Sequence, residues 1–174
     1  MFKFNNKLIR YFVPLVLILL LSLTRLVPHP WNFTPMLAAG IFSGFYFRQF
    51  FLGSLMILVP MFLGDLYLGF HNTMIFVYIS LAISVSIGLL MKNFKAKVIL
   101  LSGLSSSVCF FLITNFGAWL TLDIYEKTFY GLINSYFSAI PFFHNTLLST
   151  LIYLFLLKIF VDFAVNKKVS LINY

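Results

Sequence analysis

Charged residues are scarce in this 174-residue chain, at 9% of the composition, whereas soluble domains carry about a quarter. A single cysteine excludes a disulfide framework and any multi-cysteine metal centre. The chain also lacks a Gly-rich phosphate loop and the common hydrolase motifs, so we expect neither an enzyme nor a bound cofactor. Apolar residues, in contrast, make up 61% of the chain, and the mean hydropathy is +1.01. These values exclude both a water-soluble domain and a disordered chain.

Apolar stretches bounded by charges and prolines predict six membrane-spanning helices. The predicted spans are about residues 8–24, 33–47, 49–64, 73–91, 98–122 and 145–163. Helices are expected because backbone groups that face lipid must satisfy their hydrogen bonds within the segment. The sequence therefore predicts an all-α fold, with residues 1–174 forming one transmembrane domain, an integral-membrane six-helix bundle.

The distribution of Lys and Arg predicts how this bundle is oriented. If both termini are cytoplasmic, every positive residue lies inside except Arg25 and Lys127. Cytoplasmic loops retain positive charge, so this arrangement is favoured. It predicts a multi-pass protein of the inner (plasma) membrane, with the lipid bilayer as its surroundings. It also accounts for the net charge of +8 without nucleic acid, which we do not expect as a partner.

This orientation gathers polar side chains at the outer face. Buried polar groups in a membrane protein are costly unless they are partnered or functional, so we expect them to line a pocket for a small-molecule substrate. The predicted lining residues are His29, Asn32, Asp65, His71, Asn115, Trp119, His144 and Asn145. Arg25, the histidines and three outward-facing helix N-termini would suit a carboxylate or a phosphate. No metal is assigned, although three histidines with Asp65 leave a divalent-metal interpretation open.

Two local patterns predict where helices begin. Three prolines stiffen the segment 28–35, and Thr34 with Pro35 predicts the start of the second span. The letters Phe-His-Asn-Thr occur at 70–73 and again at 143–146, each before a predicted inward-running helix. The repeat is interpreted either as a recurring helix cap or as a relic of hairpin duplication.

Small residues form one face of the second span, namely Ala39, Gly40, Ser43 and Gly44. Small residues spaced four apart allow two helices to approach closely. This face is interpreted either as an intramolecular packing surface or as a docking surface for a second membrane protein.

Several motifs together resemble a known family. They are Pro28–Pro35, the small residues that follow, Asp65 with Gly69 and His71, Asn115–Trp119, and Pro141–Leu147. Over about residues 25–155 the chain resembles an uncharacterised family of bacterial membrane transport proteins. That family is similar to the substrate-binding S components of energy-coupling-factor vitamin transporters. The resemblance implies an S-component-like fold, an outer-side ligand such as a vitamin or related nutrient, and a separate transmembrane coupling protein with ATPases as partners.

Taken together, the residues and the resemblance predict a transport protein that captures a small polar molecule from the outer side. Two alternatives stay open. One is an accessory or structural membrane subunit that transports nothing, in which the polar residues serve only the fold. The other is a membrane-embedded hydrolase, which would place a histidine within hydrogen-bond reach of Asp65 or of a nucleophile.

Overall fold

The computed structural model describes residues 16, 20–21 and 23–172, and side chains as far as residue 163. Within this part of the chain the protein is helical and has no strand. The helices are α1 (Met36–Phe47), α2 (Phe50–Leu68), α3 (Met74–Leu90), α4 (Ala96–Thr121) and α5 (Phe129–Ile172). These five helices do not support the predicted count of six. The first predicted span, residues 8–24, lies mostly outside the described residues.

Three of the described helices are long and apolar enough to cross a membrane: α2, α4, and α5 as far as Phe163. Helices α1 and α3 are apolar but shorter. At about 1.5 Å per residue, α1 is ~18 Å long and α4 is ~39 Å long, compared with a hydrocarbon core of about 30 Å. Helix α4 is therefore about twice as long as α1.

The start of the last helix is the main correction to the sequence prediction. Span 145–163 was expected to begin at the second Phe-His-Asn-Thr motif, but α5 begins at Phe129 and continues through Pro141. The preceding residues remain helical because they pack along α4, where the Tyr136 hydroxyl donates to the Leu112 carbonyl oxygen at 2.9 Å. The second motif is therefore internal, and the Thr146 hydroxyl donates to the Phe142 carbonyl oxygen at 3.0 Å instead of capping a helix.

The other boundaries lie closer to the predicted ones. Helix α1 begins at Met36, with Pro35 in the N-cap position, rather than at residue 33. Helix α2 extends beyond the predicted end at residue 64, as far as Leu68. Helix α3 follows directly after Thr73, but the Thr73 hydroxyl makes no capping hydrogen bond to the helix backbone.

Glycines allow α1 and α3 to pack closely side by side in the same direction. A Cβ at Gly44 would overlap the Val85 carbonyl oxygen, and one at Gly88 would overlap the Ile41 carbonyl oxygen. The side chain of Arg48, just after α1, donates to the Leu89 carbonyl oxygen near the end of α3, at 3.0 Å. Such close backbone approach is possible only where no side chain intervenes.

This packing covers most of the small-residue face predicted on the second span. Gly40 and Gly44 are buried against α3, and Ser43 is buried within hydrogen-bond distance of the Gly53 carbonyl oxygen, at 3.0 Å. Ala39 is half-buried. The face is an intramolecular contact. Its three buried residues are not a free surface on which a partner could dock, because the chain's own helices cover them.

Helices α4 and α5 form an antiparallel hairpin whose turn is held by side chains. The Trp119 indole donates to the Glu126 carbonyl oxygen at 2.9 Å. The Lys127 ammonium donates to the Trp119 and Leu122 carbonyl oxygens, at 2.6 Å each. These bonds satisfy carbonyl groups at the end of α4 that have no partner within the helix.

The connections define two ends of the bundle. The loop end consists of segments 25–35, 69–73 and 122–128. It contains His29 and His71, and Asp65 lies close to it near the end of α2. The opposite end consists of segments 48–49 and 91–95. We call it the basic end because it contains Arg48, Lys92 and Lys95.

Candidate functional site

A buried ion pair fixes the first part of segment 25–35 to the bundle. An Arg25 guanidinium nitrogen lies 2.7 Å from a carboxylate oxygen of Asp65, and the Arg25 and Asp65 side chains are 14% and 1% exposed. The same guanidinium donates to the Met61 carbonyl oxygen at 2.6 Å. The Tyr78 hydroxyl donates to the other Asp65 oxygen at 2.7 Å. Asp65 therefore joins the segment to α2 and α3, and its charge is balanced where it lies.

The later part of the segment is held by α5. The Asn145 side-chain amide donates to the Trp31 carbonyl oxygen at 3.0 Å. Asn32 adopts a left-handed backbone conformation, with φ of 60°, which asparagine tolerates better than most residues. The Trp31 side chain itself is 79% exposed and its ring lies 6.4 Å from that of Phe142, edge to face. The segment thus connects α2, through Arg25, with α5, through the Trp31 carbonyl.

A cavity of about 50 Å³ lies where this segment meets the hairpin, and we call it the Asn32–Asn115 cavity. It is lined by Asn32, Phe110, Phe111, Thr114, Asn115, Ala139, Phe142, Phe143 and Thr146. The lining combines two amides and two hydroxyls with four phenylalanines, and none of these residues is charged. A single water molecule requires about 10–15 Å³ of such volume, so the cavity has room for a group of a few non-hydrogen atoms.

Hydrogen bonds to the helix backbone determine what the polar lining offers a ligand. The hydroxyls of Thr114 and Thr146 donate to the Phe110 and Phe142 carbonyl oxygens, at 2.7 and 3.0 Å. One N–H of the Asn115 amide is used by the Phe111 carbonyl oxygen at 2.7 Å. A hydroxyl whose hydrogen is used in this way keeps its oxygen lone pairs, so both threonines can only accept.

The structure brings together only some of the predicted pocket residues. Asn32 and Asn115 line the cavity, and Asn145 holds the adjoining segment. Asp65 lies in the ion pair, and Trp119 closes the hairpin turn.

The histidines are exposed and separate. The His29 ring lies 3.0 Å from the carbonyl oxygen of the next residue, Pro30. The His71 ring lies 2.9 Å from the Thr73 hydroxyl. His144 is exposed on α5 beside Phe143. Within the described part of the chain, no three histidine, cysteine or acidic residues come together in a way that could hold a metal ion.

Sequence reasoning missed Thr114, Thr146 and Tyr78 as partners of the site. Thr114 directly precedes the predicted site residue Asn115 on the same helix, and this adjacency could have identified it as a second lining residue. Thr146 was interpreted as a helix cap. Only a helix that continues through Pro141 places Thr146 one turn from Phe142 and Phe143, on the side that meets α4.

The long apolar helices define the class of protein. An all-helical chain, three of whose described helices are apolar and long enough to cross the bilayer, is a membrane protein. The chain belongs to the DUF6580 family, a family of unknown function whose profile matches residues 5–171. No curated protein and no solved structure matches the chain.

Proposed function

We propose that the protein captures a small polar molecule in the Asn32–Asn115 cavity from the outer side of the plasma membrane, as an S-component-like transport protein. In this proposal residues 8–24 supply a sixth span, and both termini are cytoplasmic. The observation that carries the proposal is that segment 25–35, α4 and α5 each bring polar groups to one uncharged, aromatic-lined cavity. Binding sites for small molecules combine these features, an apolar wall with a few polar groups that fix orientation.

The short helix α1 supports access from water. In this proposal the basic end lies at the inner surface of the hydrocarbon core. Segment 25–35, at the top of α1, then lies ~18 Å from that surface, inside a core of about 30 Å. Irregular backbone is tolerated at that depth only if it is buried in protein or lines a water-filled space. Val27 and Trp31 in this segment are exposed. The proposal therefore includes a water-filled recess above the segment, with the taller α4–α5 hairpin as one wall.

A solute larger than a few atoms needs the cavity to open. The Asn145–Trp31 hydrogen bond is the contact whose release would allow the segment to move away from α5. By the resemblance, energy for transport would come from a separate transmembrane coupling protein with ATPases, because this chain has no nucleotide-binding motif.

A structural accessory role is the second candidate function. It is favoured by the number of predicted site residues whose polar groups already have partners, notably Asp65, Trp119 and Asn145. The hydrolase interpretation lacks one of the two contacts it predicts, because the partners of Asp65 are an arginine and a tyrosine and not a histidine. Its other predicted contact, a histidine beside a hydroxyl, is seen at His71 and Thr73, an exposed pair two residues apart in the chain.

Native mass spectrometry of gently purified protein distinguishes the two candidates. Capture predicts that a small molecule co-purifies with the wild type and is lost from Asn115→Ala. The matched control is Leu112→Ala, which changes α4 less than one turn away at a half-exposed residue outside the cavity lining. A wild type free of any bound solute, with both variants indistinguishable from it, would support the accessory role instead.

A further inference from the structure

We propose that the ligand group that enters the Asn32–Asn115 cavity is a compact ammonium: the ammonium ion, methylammonium, or the primary amine end of a larger solute. This inference rests on the proposed function, since it names the chemistry that the same cavity would recognise. It differs from the sequence-based expectation of a carboxylate or phosphate ligand.

Apart from Asn32, whose amide can both donate and accept, the polar lining offers mainly oxygen lone pairs. Thr114 and Thr146 have their hydroxyl hydrogens committed to backbone carbonyls, and the Asn115 amide has one of its two N–H groups committed in the same way. The oxygens of both threonines and of the Asn115 amide remain able to accept. A ligand that only donates, such as an ammonium group with three or four N–H bonds, matches these oxygens. An anion would be met only by the N–H groups of Asn32 and the one uncommitted N–H of Asn115.

The phenylalanines favour a cation for a separate reason. Phe110, Phe111, Phe142 and Phe143 all line the cavity, and the rings of Phe111 and Phe143 lie edge to face with centroids 5.2 Å apart. The face of an aromatic ring is negative, and it attracts an ammonium group within about 6 Å. A positive group that the neutral oxygens coordinate would therefore be stabilised by a ring whose face is turned toward it.

Among the described residues, no positively charged side chain lines the cavity to reverse this preference. Arg25 is the arginine of segment 25–35, and its guanidinium is neutralised by Asp65. Lys127 at the hairpin turn has its ammonium bonded to two backbone carbonyls. The anion interpretation counted on Arg25, the histidines and helix N-termini. Arg25 is paired with Asp65, and none of the three histidines lines the cavity.

The test uses full-length protein in lipid nanodiscs, titrated by isothermal calorimetry at pH 7 with methylammonium chloride. Tetramethylammonium chloride at equal ionic strength is the comparison, because it carries the same charge but has no N–H group. Ammonium chloride tests the free ion, and ethanolamine hydrochloride tests the amine end of a larger solute.

Two double variants locate the site. Thr114→Val with Thr146→Val removes two acceptor oxygens at nearly constant volume. The matched control is Thr121→Val with Thr150→Val, whose hydroxyls also donate to backbone carbonyls on α4 and α5 but lie outside the cavity lining. Unfolding midpoints of the two variants without ligand confirm that both fold.

We expect saturable methylammonium binding, no comparable tetramethylammonium binding, and affinity at least about tenfold weaker in the cavity double variant only, since two hydrogen bonds to a charged group are lost. Equal binding of tetramethylammonium, or equal loss in both double variants, would overturn the inference. If no amine binds while a co-purified solute of another class still depends on Asn115, the ammonium assignment fails and the proposed function stands. The proposed function fails if no solute depends on Asn115.

Discussion

Replacing Arg25 with methionine tests the most deeply buried charge in the described structure. The substitution keeps an unbranched side chain but leaves the Asp65 carboxylate, which is 1% exposed, with only the Tyr78 hydroxyl as a polar partner. Removing one member of a buried ion pair costs about 3–5 kcal/mol, because the other charge stays desolvated and unpaired. We therefore expect Arg25→Met to lower the free energy of unfolding by about this amount.

A second ion pair in the same chain provides the control. Lys158 and Asp162 are one turn apart on α5, 2.5 Å from each other, with 27% and 55% of their side chains exposed. An exposed pair of this kind contributes at most about 1 kcal/mol. Lys158→Met should therefore change the free energy of unfolding little. Both variants are measured by reversible denaturation in mixed detergent micelles, against the wild type in the same micelles.

The double variant Arg25→Met with Asp65→Asn separates charge from packing. It removes both charges while Asn still accepts from Tyr78, so it should be more stable than Arg25→Met alone. If Arg25→Met costs no more than Lys158→Met, the pair does not hold segment 25–35 as described. If the double variant is less stable than Arg25→Met alone, unpaired charge is not the reason for the loss.

Three further predictions concern packing and the segment that adjoins the cavity. Gly44→Ala should lower the free energy of unfolding by about 1–3 kcal/mol more than Gly103→Ala does, as measured by denaturation. The new methyl group meets a backbone carbonyl at position 44 but only a flexible leucine side chain at position 103. Asn145→Leu should release the Trp31 carbonyl and speed amide hydrogen exchange in segment 26–35, and unchanged exchange would contradict this. Tyr78→Phe should cost about 1.5–3 kcal/mol, the range for a hydrogen bond to a charged group.

The sequence was sufficient to bring Asn32 and Asn115 to the same end of the bundle. Apolar stretches indicated which segments are helical, and alternation of short connections then placed segment 25–35 and the second half of α4 together. This part of the site depends on chain direction alone, which hydropathy determines well. The same reasoning placed Asp65 near Arg25, but it gave no basis for pairing them.

The parts that could not be predicted depend on contacts between helices. A proline and a capping sequence at 141–146 normally mark a helix boundary. Here α5 continues, since packing of Tyr136 and Phe143 along α4 outweighs the local preference. His144 was consequently expected at a helix start, but it lies in mid-helix and is exposed. The hydroxyls of Thr114 and Thr146 likewise donate to carbonyl oxygens of the preceding helical turn, and hydropathy contains no information about such hydrogen bonds.

Thiol labelling of intact cells tests most directly whether the cavity opens to the outer side. In a Cys109→Ser background, which removes the only native cysteine, Asn115→Cys and Leu112→Cys are exposed to a membrane-impermeant thiol reagent added from outside. Both residues lie on α4, but Asn115 lines the cavity, whereas Leu112 is 49% exposed on an apolar surface. We predict that Asn115→Cys reacts and Leu112→Cys does not. Equal reactivity of the two, or reaction of Asn115→Cys only after the cells are made permeable, would contradict the account.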